Sequence, residues 1–186
     1  MGNVFKICSG FYEYLIEEDL AGTNPFRKVN KKNQYNATPD EGAVTRALTP
    51  LQWDYVLETA EAMAAAEPNK HERTLFILIT MFSMYLRISD IAGRSNWKPT
   101  MGDFRRDQEG NWWFHVIGKG NKSAKIAVRD DYVTGYLTRY RRFLGLSPLP
   151  EYQEKTPLIT TLSGRSGLYD RQVRALLQAV FDNALN

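Results

Sequence analysis

Apolar residues recur along this chain at two different periods, and the switch between them sets its organisation. Val4, Ile7, Phe11, Tyr14 and Leu15 keep helical spacing, so the opening segment reads as an amphipathic helix ending near Gly22. Asn24-Pro25-Phe26 and a polar stretch through Arg27, Lys28, Lys31, Lys32, Asn33, Gln34 and Asn36 read as a linker. Thr49-Pro50-Leu51-Gln52 places a threonine N-cap ahead of a first-turn proline and starts a helix to about Ala66. A second helix, from about Lys70, carries a nearly unbroken apolar run to Tyr85. A helix that is apolar on most sides is buried, so this is the expected centre of the core.

From Gly102 the period shortens. Asp107-Gln108-Glu109-Gly110 is turn chemistry, Trp112 to Ile117 is aromatic and β-branched, and Gly118 to Ser123 turns the chain before Ala124 to Val128. With Met101 to Arg105 as first strand, this predicts a three-stranded antiparallel sheet. Adjacent Trp112 and Trp113 would face opposite sides, which makes a base-stacking role a poor reading for the pair. Asp130 to Leu144 returns to a helix with Tyr132, Val133, Tyr136, Leu137, Tyr140 and Phe143 on its apolar side. Pro148 to Pro157 is a loop. A last helix, about Tyr169 to Leu185, aligns Val173, Leu176, Leu177, Val180 and Phe181. The expected class is α+β, mainly helical.

Composition narrows what such a fold is for. At 186 residues and 43% hydrophobic content the chain can bury one good core with a short appendage, which excludes a disordered tail protein. A net charge of +3 is a mild basic bias, compatible with nucleic acid and with many other partners. Cys8 stands alone, and His71 and His115 are far from it in sequence. No disulfide framework and no zinc spacing follow, so no metal and no cofactor are expected. The longest apolar run, Leu75 to Leu86, falls short of the ~20 residues that cross a bilayer. With no leader-like opening, the chain reads as cytoplasmic and without a membrane partner.

Two short segments carry the candidate chemistry. Arg87, in Tyr85-Leu86-Arg87-Ile88-Ser89-Asp90-Ile91, follows the apolar helix. On a mount held by packing, its planar fork suits the paired oxygens of a phosphate or carboxylate. The alternative is that it pairs with Asp90 on the same helix face and caps the helix end. Lys119 sits in Ile117-Gly118-Lys119-Gly120-Asn121-Lys122. A lysine in a glycine-flanked hairpin is commonly a solubility feature. At a hairpin tip it could also enter a DNA groove and protonate a leaving oxygen. The string is not a nucleotide-binding P-loop, because Trp113 and Gly120 stand where that motif needs a glycine and a hydroxyl residue.

Taken together and in this order, the two segments resemble the first conserved box and the lysine hairpin of the tyrosine recombinases, the phage integrase family. The resemblance runs from Ala47-Leu48-Thr49 through Phe181. It implies residues 1–23 as the last helix of a core-binding domain, 24–46 as linker and 47–186 as the N-terminal part of the recombinase catalytic domain. It further implies double-stranded DNA as partner, cut and rejoined in the full-length family through a 3′-phosphotyrosine intermediate. Arg87 would grip the scissile phosphate, Lys119 would act as general acid, and Asp90 would support the site without performing chemistry. Tyr85 departs from the glycine frequent at that position, and residues Asn96 to Thr100 are extra.

The family completes its site with a His-x-x-Arg box, a further histidine or tryptophan, and a tyrosine nucleophile. No His-x-x-Arg string follows Leu144, and no tyrosine matches the nucleophile. The chain therefore reads as a truncated catalytic domain, inactive alone and monomeric, belonging to a protein that assembles into oligomers on DNA at full length. DNA contacts are expected from Arg27, Lys28, Lys31 and Lys32 in the connector and from Lys122 and Lys125 beside Lys119. Arg139, Arg141 and Arg142 read equally well as a solvated helix face. Two alternatives stay open: a non-catalytic DNA-binding protein on the same fold, and a helical interaction domain whose motif matches are chance.

Overall fold

In this computed structural model, residues 2–25, 47–118, 121–162 and 167–184 are described. The chain forms two compact units, Met1–Ala47 and Leu48–Asn186. In the first, helix α1 (Gly2–Glu17) is followed by a turn from which Asn24 reaches back. Its buried amide donates to the Ser9 carbonyl at 3.0 Å and to Glu13 Oε1 at 2.6 Å. The connector lysines and arginines at 27, 28, 31 and 32 lie outside the described residues.

The second unit is α+β, mainly helical, with a small sheet. Helix α2 (Pro50–Ala66) starts as its sequence dictates: Gln52 N–H donates to the Thr49 hydroxyl, and Gln52 Oε1 accepts the Thr49 N–H, with Pro50 in the first turn. Helix α3 (Pro68–Ser83) is the centre of the unit and packs against α2 and the helices described below. Every residue from Glu72 to Thr80 on it is buried. Each fully buried Leu, Ile or Phe here contributes roughly 1.5–3 kcal/mol. Two of the polar ones find side-chain partners inside: Thr80 and the Tyr132 hydroxyl meet at 2.6 Å, and Glu72 holds Arg139, while Thr74 Oγ1 and Arg73 Nε have no hydrogen-bond partner among the described residues.

The central helix stops earlier than its apolar pattern suggests. Met84 and Leu86 remain buried, but Tyr85 between them turns to φ +53° and is exposed, while Leu86 N–H closes back on the Met81 carbonyl at 2.9 Å. The backbone reverses so that both apolar neighbours stay in the core. Arg87 is therefore not at the end of α3. It is the N-cap of a separate short helix, α4 (Ile88–Ala92). Glycine would adopt the left-handed φ of Tyr85 without strain.

The sheet has order β1-β2-β3, all antiparallel, from Phe104–Arg106, Trp112–Ile117 and Ser123–Val128. Its first strand is shorter than expected. Met101–Asp103 forms a 3-10 turn capped by Asp103 on the Thr100 N–H. The loop after residue 148 lies directly over it: Met101 N–H donates to Thr156 and Gly102 N–H to Glu154. A Cβ on Gly102 would meet the Glu154 backbone at 2.5 Å. On β2, Trp112, Phe114 and Val116 face the core while Trp113, His115 and Ile117 face out, so the two tryptophans do take opposite sides. Trp53 is likewise occupied, stacked on Phe82 at 4.5 Å.

The next helix is not uniform. It opens as α5 (Asp130–Tyr132), widens to a π turn over Val133–Leu137, and resumes as α6 (Thr138–Phe143). The Thr138 hydroxyl donates to the Val133 carbonyl at 2.8 Å and its N–H bonds the same oxygen, holding the wide turn. Beyond it, Arg139 pairs with Glu72, and Arg141 is 1% exposed with Glu154 at 3.0 Å and the Ser147 and Leu149 carbonyls around it. Arg141 is thereby inside the core rather than on a solvated face, while Arg139 is tied to the core by Glu72 with its side chain 39% exposed. Helix α7 (Asp170–Ala184) closes the unit with Val173, Leu177 and Val180 buried. No described helix is long and apolar enough to cross a membrane.

The Arg141–Glu154 pair yields a pH signature. Burial opposes the charged carboxylate, but donors from Arg141, Thr156 and the Glu151 backbone outweigh it and hold the Glu154 pKa below the ordinary glutamate range. A depressed carboxylate contributes stability that is present above its unfolded pKa and lost as pH falls through the folded value. Urea unfolding from pH 7 to pH 3 should show that loss. Glu154→Ala should cost about 3 kcal/mol at pH 7, by leaving a buried guanidinium unpaired, and should flatten the acid limb.

Candidate nucleic-acid interface

Arg87 takes its position from its backbone. Its N–H donates to Asp90 Oδ2 at 2.9 Å, fixing the first turn of α4, while its side chain is exposed. The pairing of Arg87 with Asp90 through their side chains is not what forms. Asp90 Oδ1 instead takes Arg94 Nη2 at 2.5 Å, one helical turn on, in a pair 21% and 13% exposed. Among the described residues the Arg87 guanidinium has no ion pair. It stands on a fixed backbone with its donors open to a ligand.

Arg94 is the residue that spacing did not reveal. Besides Asp90, its guanidinium donates to Ser89 Oγ at 3.0 Å and to the Ile117 carbonyl at the end of β2. One fork thus spans the helix that Arg87 caps and the stem of the lysine hairpin. The chain between them is turned by Gly93, at φ +82°, where a Cβ would meet the Trp97 carbonyl and Lys98 at 2.9 Å. Residues 96 and 97 join the same junction: Arg94 N–H donates to the Trp97 carbonyl, and Asn96 Nδ2 to Asn121 Oδ1 at 3.3 Å. A basic residue four positions after Asp90 is the one signal in the sequence that could have found Arg94, through ordinary i,i+4 pairing.

Lys119 and Gly120 lie outside the described residues. On either side of them the hairpin is closed by Gly118 N–H to the Lys122 carbonyl at 2.7 Å, with Asn121 at φ +60°. Lys122 and Lys125 are both exposed. Lys125 is the cross-strand neighbour of His115 on the outer sheet face. Burial, then Arg105 and Lys125, push the His115 pKa down against the pull of Asp103, so the imidazole is neutral at pH 7. The outward charge of this face is carried by the lysines and Arg105.

The arrangement offers a permanently charged fork on one element, exposed lysines on the hairpin of the next, and the part-buried Arg94, paired with Asp90 and bonded to the Ile117 carbonyl, joining the two. The Arg87 fork can take an oxyanion without a change in the backbone that carries it. Among the described residues no group of three or more His, Cys, Asp or Glu could hold a metal ion. Comparison with protein-family models and with curated proteins gives no match.

The two arginines should separate cleanly in stability measurements. Arg94→Met should lower the unfolding free energy by about 1.5–3 kcal/mol, the range for hydrogen bonds to charged groups. Arg94→Lys should not restore it, because a point charge cannot span three acceptors. Arg87→Ala should stay within about 0.5 kcal/mol of wild type, as an exposed side chain without partners would.

Proposed function

We propose that this polypeptide binds duplex DNA through Arg87 and the 117–125 hairpin, as part of a site-specific recombinase of the tyrosine recombinase type. The observation that carries the reading is the Arg94 bridge. It ties the short helix capped by Arg87 to the hairpin stem at Ile117 and leaves the Arg87 guanidinium exposed and unpaired. In this reading Arg87 grips a backbone phosphate, and Lys119 acts as general acid toward a departing oxygen of the same phosphodiester. Asp90 acts through Arg94 and the Arg87 backbone, as a positioning residue. Lys122 and Lys125 extend the cationic face along the strand, and the connector residues Arg27, Lys28, Lys31 and Lys32 add phosphate contacts.

A second reading is a DNA-binding protein that occupies sites without cutting them, through the same exposed Arg87 and hairpin lysines. Both readings share the phosphate contacts and differ in the covalent step.

Fluorescence anisotropy with a labelled duplex tests the shared part. Affinity should fall steeply between 50 and 200 mM salt, as it does when several lysines and arginines displace counterions. Arg87→Ala should weaken binding roughly tenfold and lower the log–log salt slope by about one. Binding indifferent to salt, or to Arg87, would sink the proposal.

A nicked suicide substrate tests the covalent step. This chain, without a match to the tyrosine nucleophile, should yield no protein–DNA adduct on a denaturing gel. An adduct would show that one of its own tyrosines attacks the phosphodiester.

A further inference from the structure

At the other end of the central helix lies a buried guanidinium without a counter-ion. Arg73 is 9% exposed, yet among the described residues no carboxylate approaches it. Its Nη1 donates to the Thr160 carbonyl at 2.9 Å, and its Nε is buried with no hydrogen-bond partner. The contrast with its surroundings is sharp. Glu72, next in the chain, is committed to Arg139, and the still more buried Arg141 has Glu154. Residues 163–166, which follow Leu162, contribute no acidic side chain in sequence.

Arginine does not escape burial by losing its proton, so a guanidinium buried without a counter-ion keeps the part of its desolvation cost that the Thr160 carbonyl does not offset. Burial does push the Arg73 pKa down, without a carboxylate to oppose it. A group in that condition is stabilised by any oxyanion that reaches it.

The space for one is present. Arg73 lines a cleft of about 390 Å3 together with Asn69 one helical turn earlier and Tyr140 from α6, whose buried hydroxyl faces Thr160. Phe143, Leu144 and Leu162 form the apolar part of the wall, with Phe143 38% and Leu162 68% exposed, and Thr160 and Thr161 complete the lining. Two large apolar side chains thus stand uncovered beside a buried cation. A bare inorganic ion would satisfy the guanidinium and leave them wet.

We propose that this cleft is a binding site for a small organic oxyanion, with its charged head on Arg73 and Tyr140 and a body of a few carbons against Phe143, Leu144 and Leu162. The site is separate from the DNA-binding reading. Ten residues of helix, about 15 Å, separate Arg73 from the end of α3 that leads to Arg87.

The test uses the whole chain, 15N-labelled, with the Arg73 Nε–Hε resonance assigned by through-bond correlation in wild type. Hexanoate should shift that resonance saturably, and inorganic phosphate should do so at least about tenfold more weakly, for want of apolar contact. Arg73→Met should weaken hexanoate binding at least about tenfold. Its Tm without ligand should be equal to wild type or higher, since the variant removes an uncompensated charge rather than a partner. Tyr140→Phe, which keeps the Phe76 stack, should weaken binding by a smaller factor. The proposal is overturned if neither anion shifts the resonance, if phosphate binds as well as hexanoate, or if only a DNA duplex perturbs Arg73.

Discussion

Burial of α3 on all sides is the constraint from which the rest of this molecule follows. A helix surrounded by other elements cannot leave its polar groups to water, and four polar residues, Glu72, Arg73, Thr74 and Thr80, lie within its buried stretch. Each demands an answer from a distant part of the chain. Thr80 receives one from Tyr132, and Glu72 from Arg139, so α5 and α6 are pinned in position as well as packed. Arg73 receives only a carbonyl. The same requirement that orders the core thereby leaves one charge open, and a partly satisfied buried cation is the kind of departure from a closed core that marks a site.

The opposite end of the helix answers a different demand. Met84 and Leu86 are both apolar and both buried, and a helical path would not keep them so on either side of Tyr85. The left-handed residue between them reverses the backbone, and the chain leaves the core pointing Arg87 outward. From there Asp90 acts on two levels at once. One carboxylate oxygen fixes the backbone that carries Arg87, while the other engages the guanidinium that reaches the hairpin. Charge within the junction is neutralised locally, so the cations left over are those facing solvent.

Local signals in the sequence were strong where local chemistry decides. Thr49-Pro50 and Gln52 specify a helix start by bonds that close within four residues. The turn at Asp107 to Gly110 and the alternation through Trp112 to Ile117 likewise fix a hairpin and its faces. Legibility ended where partners are far apart. Nothing near Arg141 announces Glu154 or marks it as the most buried charge in the unit, and nothing near Glu72 announces Arg139. The end of α3 was misplaced for a related reason: periodicity sees that Met84 and Leu86 are apolar but not that they must face the same way. Arg87 was found by its context with the hairpin, whereas Arg94, which joins the two, resembled an ordinary helix charge.

The π turn at Val133–Leu137 has a consequence for reading other chains against this one. One surplus residue inside a helix turns everything beyond it by about 100° relative to an uninterrupted helix. That rotation is what presents residue 139 to α3 and sends residue 141 inward to the loop. A homologous chain shorter by the one position that the wide turn absorbs would keep both arginines facing their glutamates. The same deletion taken from a regular stretch of helix would rotate everything beyond it by about 100° and part both pairs.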